Sequence, residues 1–221
     1  MDHSPGKGNL ASVASAEAIE VRTLHFADDG TVPNNPDLPA VVLCGALGEG
    51  AAPDAVRGRL EANGWGGTWV WQVFAYHHYH PDAHEALAVA SGRAELMLGG
   101  PEGQCVSVRA GDVLVLPAGT GHCQIEASAN FQVCGAYPAG QERYETLRAE
   151  HPHDSAVLER IRAVPLPRAD DFFILGKRRS FDLQHDDDPL LGAYGPDGGP
   201  GGQKPVLRLT PPSATMVWPV T

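Results

Sequence analysis

The chain has 221 residues, of which 43% are hydrophobic, as expected for one medium-sized globular domain with additions or for two small domains. Acidic residues outnumber basic ones by 27 to 16, so we expect no nucleic-acid partner, since such partners require a basic surface. The four cysteines are scattered without a C-x-x-C pair, which predicts reduced thiols in the core. The sequence lacks a signal-peptide-like region and a long apolar run, so we expect a cytoplasmic protein with no membrane partner.

The first part of the chain predicts three regular elements after a disordered arm. Residues 1–18 are small and polar without periodicity, which is typical of disorder. Alternation predicts a strand over residues 21–26, and a short apolar run predicts a buried strand over residues 40–44. A helix is predicted over residues 53–63, because Pro53 fits a first helical turn and a glycine follows its end.

From residue 68 the pattern changes to short apolar runs separated by glycine-containing turns. Seven strands at a spacing of roughly ten residues are typical of an antiparallel sandwich or barrel. The predicted strands cover residues 68–74, 85–90, 93–98, 104–109, 113–116, 122–127 and 131–137.

Two helices are predicted after the last strand. They cover residues 142–150 and 154–163, and Asp154 is the predicted N-cap of the second. We expect both helices to pack on the outside of the barrel. The remaining residues, 167–221, are rich in glycine and proline and predict a largely disordered C-terminal region.

Side chains that can bind a metal are concentrated in two stretches. The first, YHHYHPDAHE at residues 76–85, contains His78 and His80, which face the same side of an extended strand because they are two residues apart. It ends in Glu85. The second, GDVLVLPAGTGHCQIE at residues 111–126, contributes His122, which a closed β-structure would bring near the others. Three imidazoles and one carboxylate around a divalent ion carry a net charge of about +1 and leave one or two coordination positions open.

These stretches resemble the two motifs of the cupin superfamily. Residues 78–92 read His-x-His, four residues, Glu, six residues, Gly, which is similar to the first motif. Residues 111–122 read Gly, five residues, Pro-x-Gly, two residues, His, which is similar to the second. The wider stretch from residue 20 to residue 170 is similar to the uncharacterised YjlB-like cupins, and residues 172–188 look like an insertion relative to them.

The resemblance implies both a fold and a ligand set. The fold is all-β with peripheral helices: a cupin-type antiparallel β-barrel, also described as a double-stranded β-helix or jelly roll, over residues 19–166. The implied metal ligands are His78, His80, Glu85 and His122. They suit a divalent transition-metal ion, and Fe, Mn, Ni, Zn and Cu are not distinguished by the sequence. The alternative is that these histidines form only hydrogen bonds inside a barrel.

Neighbouring side chains are predicted to lie outside the ligand set. His77 has the opposite strand parity to His78, so it should point out of the barrel or into a flanking loop. His84 occupies a non-ligand motif position and is predicted to be a surface histidine; the alternative for both histidines is a role next to the ligands or in contact with a substrate. Trp69 and Trp71 are predicted to be core residues, as aromatic side chains in β-rich segments usually are.

Two classes of function follow from the ligand set. The first is a metal-dependent enzyme, such as an oxygenase, decarboxylase, isomerase or lyase, that acts on a small polar molecule. The alternative is a non-enzymatic cupin that binds or senses a small molecule, because no acid–base pair is recognised beyond the predicted ligands. Catalytic residues are not assigned, and homodimer formation is left open.

Overall fold

A computed structural model describes residues 19–48, 50–150 and 152–167. Within these ranges the chain is mostly β-structure, with eleven strands and two helices. The strands are β1 (Glu20–Leu24), β2 (Ala40–Cys44), β3 (Trp65–Trp71), β4 (His78–Tyr79), β5 (Glu85–Ser91), β6 (Arg93–Leu98), β7 (Gln104–Arg109), β8 (Val113–Leu116), β9 (His122–Ala127), β10 (Gln132–Pro138) and β11 (Leu147–Arg148). The helices are α1 (Pro53–Ala62) and α2 (Ser155–Ala163).

The strands form two antiparallel sheets that pack face to face. One sheet has six strands in the order β1-β2-β8-β5-β10-β3, and the other has five in the order β11-β4-β9-β6-β7. Side chains from both sheets meet in one apolar core that includes Leu87, Leu96 and Phe131. Complete burial of such a side chain contributes about 1.5–3 kcal/mol, so this core holds the sheets together. The antiparallel double-sheet fold implied by the resemblance is confirmed.

Helix α1 covers the outer face of the six-stranded sheet. Its Val56 and Leu60 lie one turn apart and are fully buried against β3, β5 and β10. The six-stranded sheet is therefore apolar on both faces, which explains why Glu85–Ala90 is buried without interruption. Strand β7 in the other sheet alternates instead between exposed and buried residues, as expected for a sheet with one solvated face.

Helix α2 attaches to the loops next to the predicted metal ligands. The Asp154 side chain accepts a hydrogen bond from the Val157 N–H at 3.1 Å, so its predicted role as N-cap is confirmed. Arg160 on the same helix contacts Asp82 at 3.0 Å and Glu145 at 2.7 Å. Ile161 is buried against the turn that contains Gly119. The helix therefore holds both the first motif and the turn before His122.

The helix predicted over residues 142–150 is wrong. That segment is extended where it forms β11, which pairs with β4. Its backbone makes hydrogen bonds to the first motif: the Ala149 N–H donates to the His77 carbonyl at 3.1 Å. Helical spacing in the sequence is overridden here by pairing with a distant strand.

The other strand predictions agree with the structure to within two residues at most ends. The exception is β3, which begins and ends three residues before the predicted strand at 68–74. The additional residues at its start include Trp65 and Gly66, which pair with Pro138 and Tyr137 of β10. The predicted N-terminal arm and nearly all of the predicted C-terminal region, including residues 172–188, lie outside the described residues.

The cysteines are free, and only two of them are core residues. Cys123 and Cys134 are buried, whereas Cys105 is exposed, so its predicted place in the core is wrong. Cys44 is partly buried. In the described part of the chain, neither helix is long and apolar enough to cross a membrane.

Candidate metal centre

Three histidines from the two motifs meet between the sheets. His78 in β4 is directly opposite His122 in β9, and their ring centroids are 4.0 Å apart. His80 follows β4, and its ring lies 5.7 Å from each of the other two. One ring nitrogen from each histidine lies within 4.8 Å of the others, and all three residues are buried. The structure thus brings together the three predicted histidines in a cluster that could hold a metal ion.

Each ring of the histidine cluster is oriented by a backbone carbonyl. The Nδ1 atoms bond to the carbonyls of Tyr76 (from His78, 3.1 Å), Glu145 (from His80, 2.9 Å) and Thr120 (from His122, 3.1 Å). A carbonyl oxygen only accepts hydrogen bonds, so each Nδ1 must carry the proton. In the neutral ring, Nε2 is then unprotonated and carries a free lone pair. This arrangement is typical of histidines that bind a metal through Nε2.

Glu85 approaches the cluster from the other sheet. Its Oε2 lies 3.1 Å from Nε2 of His122 and 3.5 Å from Nε2 of His80. Its Oε1 accepts a hydrogen bond of 2.6 Å from the Tyr137 hydroxyl. Among the described residues, only the three histidines have ligand atoms that all lie within 4.8 Å of one another. Glu85 therefore lies next to two members of the cluster and is not itself a member.

Burial and neighbouring charges shift the pKa values of the titrating groups in the site. Burial, followed by the neighbouring His122, lowers the pKa of His78 to about 2, so this ring is neutral near pH 7. Burial also lowers the pKa of His80, but the adjacent Glu85 carboxylate outweighs burial, so the pKa of His80 is raised overall. Burial disfavours the ionised form of Glu85 as well, yet His80 and His122 hold its pKa well below the usual range. Glu85 is therefore the fixed negative charge of the cluster.

Tyr137 and Trp69 form a hydrogen-bonded chain behind Glu85. The Trp69 indole N–H donates to the Tyr137 hydroxyl oxygen at 3.1 Å, and that hydroxyl donates to Glu85. Burial and the Glu85 charge raise the pKa of Tyr137, so its hydroxyl remains a donor. Gly135 makes room for the indole, since a Cβ there would lie 2.0 Å from the ring. These hydrogen bonds between Trp69, Tyr137 and Glu85 were not predicted from the sequence. A signal for Tyr137 was present, because strand parity in β10 places it on the same face as the buried Val133.

Removing the Tyr137 hydroxyl should weaken metal binding. In Tyr137→Phe, Glu85 loses its 2.6 Å hydrogen bond and with it its fixed orientation. Removal of a group that hydrogen-bonds to a metal ligand typically reduces metal affinity about 10- to 100-fold. Competition between the protein and a chromophoric chelator for Zn(II) measures the change. Tyr79→Phe is the matched control, because Tyr79 is a buried tyrosine that does not line the cavity. Equal Zn(II) affinities for wild type and Tyr137→Phe would contradict the orienting role.

The two other histidines of the first stretch lie outside the cluster. His84 is only 3% exposed, so the prediction of a surface histidine is wrong. Its Nδ1 accepts a hydrogen bond from the Ala118 N–H at 3.0 Å, and its backbone N–H donates to Gln141 at 2.9 Å. Gln141 in turn donates to the Pro165 carbonyl at 2.8 Å, which ties the end of α2 to the first motif. His77 is partly buried, and its ring does not join the cluster.

A cavity of about 500 Å³ opens onto the histidine cluster and Glu85. Five aromatic side chains line it: Trp69, Trp71, Phe74, Tyr137 and Tyr144. Trp71 is 70% exposed at the cavity mouth, so its predicted place in the core is wrong. A cavity of this size, with an open side and a few polar groups, is typical of small-molecule sites.

Comparisons with known proteins place these features in a family. A family model described as the cupin domain matches residues 71–130, which include both sides of the site. The chain is 36% identical over 159 residues to the uncharacterized protein YjlB of Bacillus subtilis (strain 168), covering 72% of this chain and 93% of that protein.

The chain also matches solved structures with which it shares little sequence. One is an uncharacterized conserved protein with a double-stranded β-helix domain from Klebsiella pneumoniae, at 16% identity and a TM-score of 0.32, covering 62% of this chain and 84% of that one. Another is procruciferin, an 11S globulin from Brassica napus, at 14% identity and a TM-score of 0.30, where the match covers 62% of this chain and 29% of that one. The two motifs, the double-sheet fold and the similarity to YjlB together show that this chain belongs to the cupin family.

Proposed function

We propose that the protein is a metal-dependent enzyme that holds a divalent transition-metal ion and acts on a small molecule. The proposed ligands are Nε2 of His78, His80 and His122 and one carboxylate oxygen of Glu85. Nitrogen and carboxylate ligands of this kind suit Fe, Mn, Ni, Zn or Cu. When bound, such an ion supplies Lewis-acid polarisation of a substrate oxygen, or redox chemistry if the metal is redox-active.

The single observation that carries the proposal is the orientation of the three rings. Each Nδ1 proton is held by a backbone carbonyl, so three Nε2 atoms converge in a buried space, and in the neutral rings all three are acceptors. Buried acceptors that face one another without a donor are unfavourable, and a cation removes that cost. The anionic Glu85 next to two of the rings favours a cation further.

The residues around the proposed ion have separable roles. Glu85 has one oxygen in a bond with Tyr137, which leaves Oε2 as the oxygen that faces the histidines. Tyr137 and Trp69 hold that carboxylate in place, and the cavity admits a substrate from one side. The chain therefore supplies a charged, oriented ligand set and a bounded space next to it.

A non-enzymatic binding protein is the second candidate, and one observation favours it. Among the described residues that line the cavity, the buried Tyr137 hydroxyl is already bonded to Glu85. Glu142, the other carboxylate of the lining, is exposed at the mouth. The described residues of the lining therefore offer no free buried carboxylate or imidazole for general acid–base catalysis beyond the proposed ligands.

The two candidates differ in what happens to a bound molecule. The full chain, purified without a histidine tag and assayed for metal, is incubated with a cellular small-molecule extract that is then profiled by mass spectrometry. We expect about one metal ion per chain and depletion of at least one compound beyond the molar amount of protein. A compound that is retained unchanged in stoichiometric amount would support the binding protein instead. Absence of stoichiometric metal would contradict both versions of the metal site.

A further inference from the structure

We propose that the cavity takes a flat, uncharged aromatic molecule that carries an oxygen substituent. The ring of this ligand would pack against the aromatic walls, and its oxygen would reach the histidine cluster. The role given to the cluster rests on the proposed function, whereas recognition of the ring is carried by residues outside the ligand set.

Aromatic rings flank the histidine cluster on two sides. Phe74 meets His78 edge to face, with 5.0 Å between ring centroids, and Tyr144 meets His80 in the same way at 4.6 Å. Tyr144 also stacks on Tyr137 at 3.9 Å, so its ring is held in place. Aromatic pairs with centroids 4.5–7 Å apart interact favourably in stacked or edge-to-face geometry. A planar ring that enters between these walls would find the same geometry on both sides.

Large apolar side chains at the mouth are left in water. Trp71 is 70% exposed and Phe74 is 45% exposed, although both line the cavity. Exposed aromatic surface next to a concave site is typical of a place where a ligand is covered on binding. An apolar, flat ligand would bury this surface, whereas a small polar ion would leave it in water.

The charges around the cavity disfavour an anionic ligand. Within the described part of the chain, the lining contains no lysine or arginine, and its carboxylates are Glu85 and Glu142. Arg148, near the Phe74 side, lies 3.9 Å from the centre of the Tyr76 ring and contacts Glu150 at 3.1 Å. Among the described residues of the lining, a dianion would therefore find no lysine or arginine, and it would be repelled by two carboxylates. An uncharged molecule avoids this cost.

The volume of the cavity agrees with one or two fused rings. At about 500 Å³ the cavity lies in the lower half of the range for small-molecule sites. Polar anchoring outside the ligand set is sparse, because the Gln72 amide nitrogen already donates to the Phe131 carbonyl at 3.4 Å. Aromatic packing plus one oxygen at the histidine cluster uses the aromatic and histidine part of the lining.

Two probes separate an aromatic ligand from an anionic one. 2-Naphthol is a flat, uncharged aromatic alcohol, and oxalate is a small dianion that also offers oxygen ligands. Calorimetric titrations use the full chain, once freed of metal with EDTA and once loaded with Co(II), whose visible bands report metal binding. We expect 2-naphthol to bind the metal-free protein at least about tenfold more tightly than oxalate, because the aromatic walls do not need the metal.

Trp71→Ala tests whether the walls recognise the ring. Since Trp71 is mostly exposed, its loss should leave the fold intact and weaken 2-naphthol binding about tenfold. Ile125→Ala is the matched control, because Ile125 is also exposed, at 56%, but does not line the cavity. Binding of oxalate at least as tight as that of 2-naphthol in the metal-free protein, no 2-naphthol binding, or equal affinities of wild type and Trp71→Ala would each overturn the proposal. Failure of Co(II) to give visible bands would instead count against the proposed metal function and leave the result on the ring standing.

Discussion

Replacing His122 with alanine is expected to abolish stoichiometric metal binding. His122 supplies one of the three Nε2 atoms and also lies 3.1 Å from the Glu85 carboxylate. The variant therefore loses one proposed ligand, and Glu85, another proposed ligand, loses a contact. Loss of groups that only orient a ligand already lowers metal affinity about 10- to 100-fold, so loss of a ligand should lower it by more than about 100-fold. Zn(II) titration against a competing chelator measures the affinity, and elemental analysis measures the content of the purified protein.

His77→Ala is the matched control for this experiment. It removes a histidine from the same stretch whose ring lies outside the cluster, so metal content and affinity should stay at wild-type values. Circular dichroism of both variants checks that the double-sheet fold is retained. Wild-type Zn(II) affinity in His122→Ala, or equal losses in both variants, would contradict the proposed ligand set.

His84 is expected to make the stability of the protein depend on pH in the acid range. Its burial lowers its pKa from 6.5 to about 4, so the folded protein keeps the ring neutral while the unfolded chain protonates it. Because the unfolded state binds more protons, the free energy of unfolding falls as the pH falls from 6.5 towards 4. The contribution present above pH 6.5 is about 3 kcal/mol, most of which should be lost by pH 4.5.

His84→Asn isolates this contribution. The asparagine amide oxygen can accept the Ala118 N–H that Nδ1 accepts in the wild type, but it does not titrate in this range. Urea unfolding of the metal-free proteins at pH 7 and pH 4.5 gives the free energies. Wild type should lose about 2 kcal/mol more than His84→Asn between the two pH values, since other titrating groups are common to both proteins. Parallel losses would show that His84 is not the buried neutral base inferred here.

The regular β-structure was predictable because it is local in origin. Strands β6, β7, β8 and β9 occupy the predicted residues, since short apolar runs are bounded on each side by turn-forming residues such as glycine, proline, serine and asparagine. The segment at residues 142–150 was not predictable in the same way. It has helical spacing, but its structure depends on pairing between β11 and β4, which are about seventy residues apart in the chain.

The candidate site was predictable only where the distance between residues in the sequence fixes the direction of their side chains. Two histidines two residues apart must share a face of a strand, and His122 was found through its own motif, so the three-histidine cluster could be proposed from the sequence. The burial of His84 could not, because it depends on Gln141 and on the chain after α2. The support that Tyr137 and Trp69 give Glu85 depends likewise on contacts across β3, β10 and β5.

The sequence by itself determined the strand pattern, the two motifs and the three histidines that can share a metal ion, because strand period and turn chemistry act over a few residues. Only the tertiary structure decided which backbone carbonyls hold the Nδ1 protons, which carboxylate oxygen faces the cluster, and that Trp71 lies at a cavity mouth rather than in the core. Those features arise from contacts between segments that are far apart in the chain, and residue spacing carries no information about them.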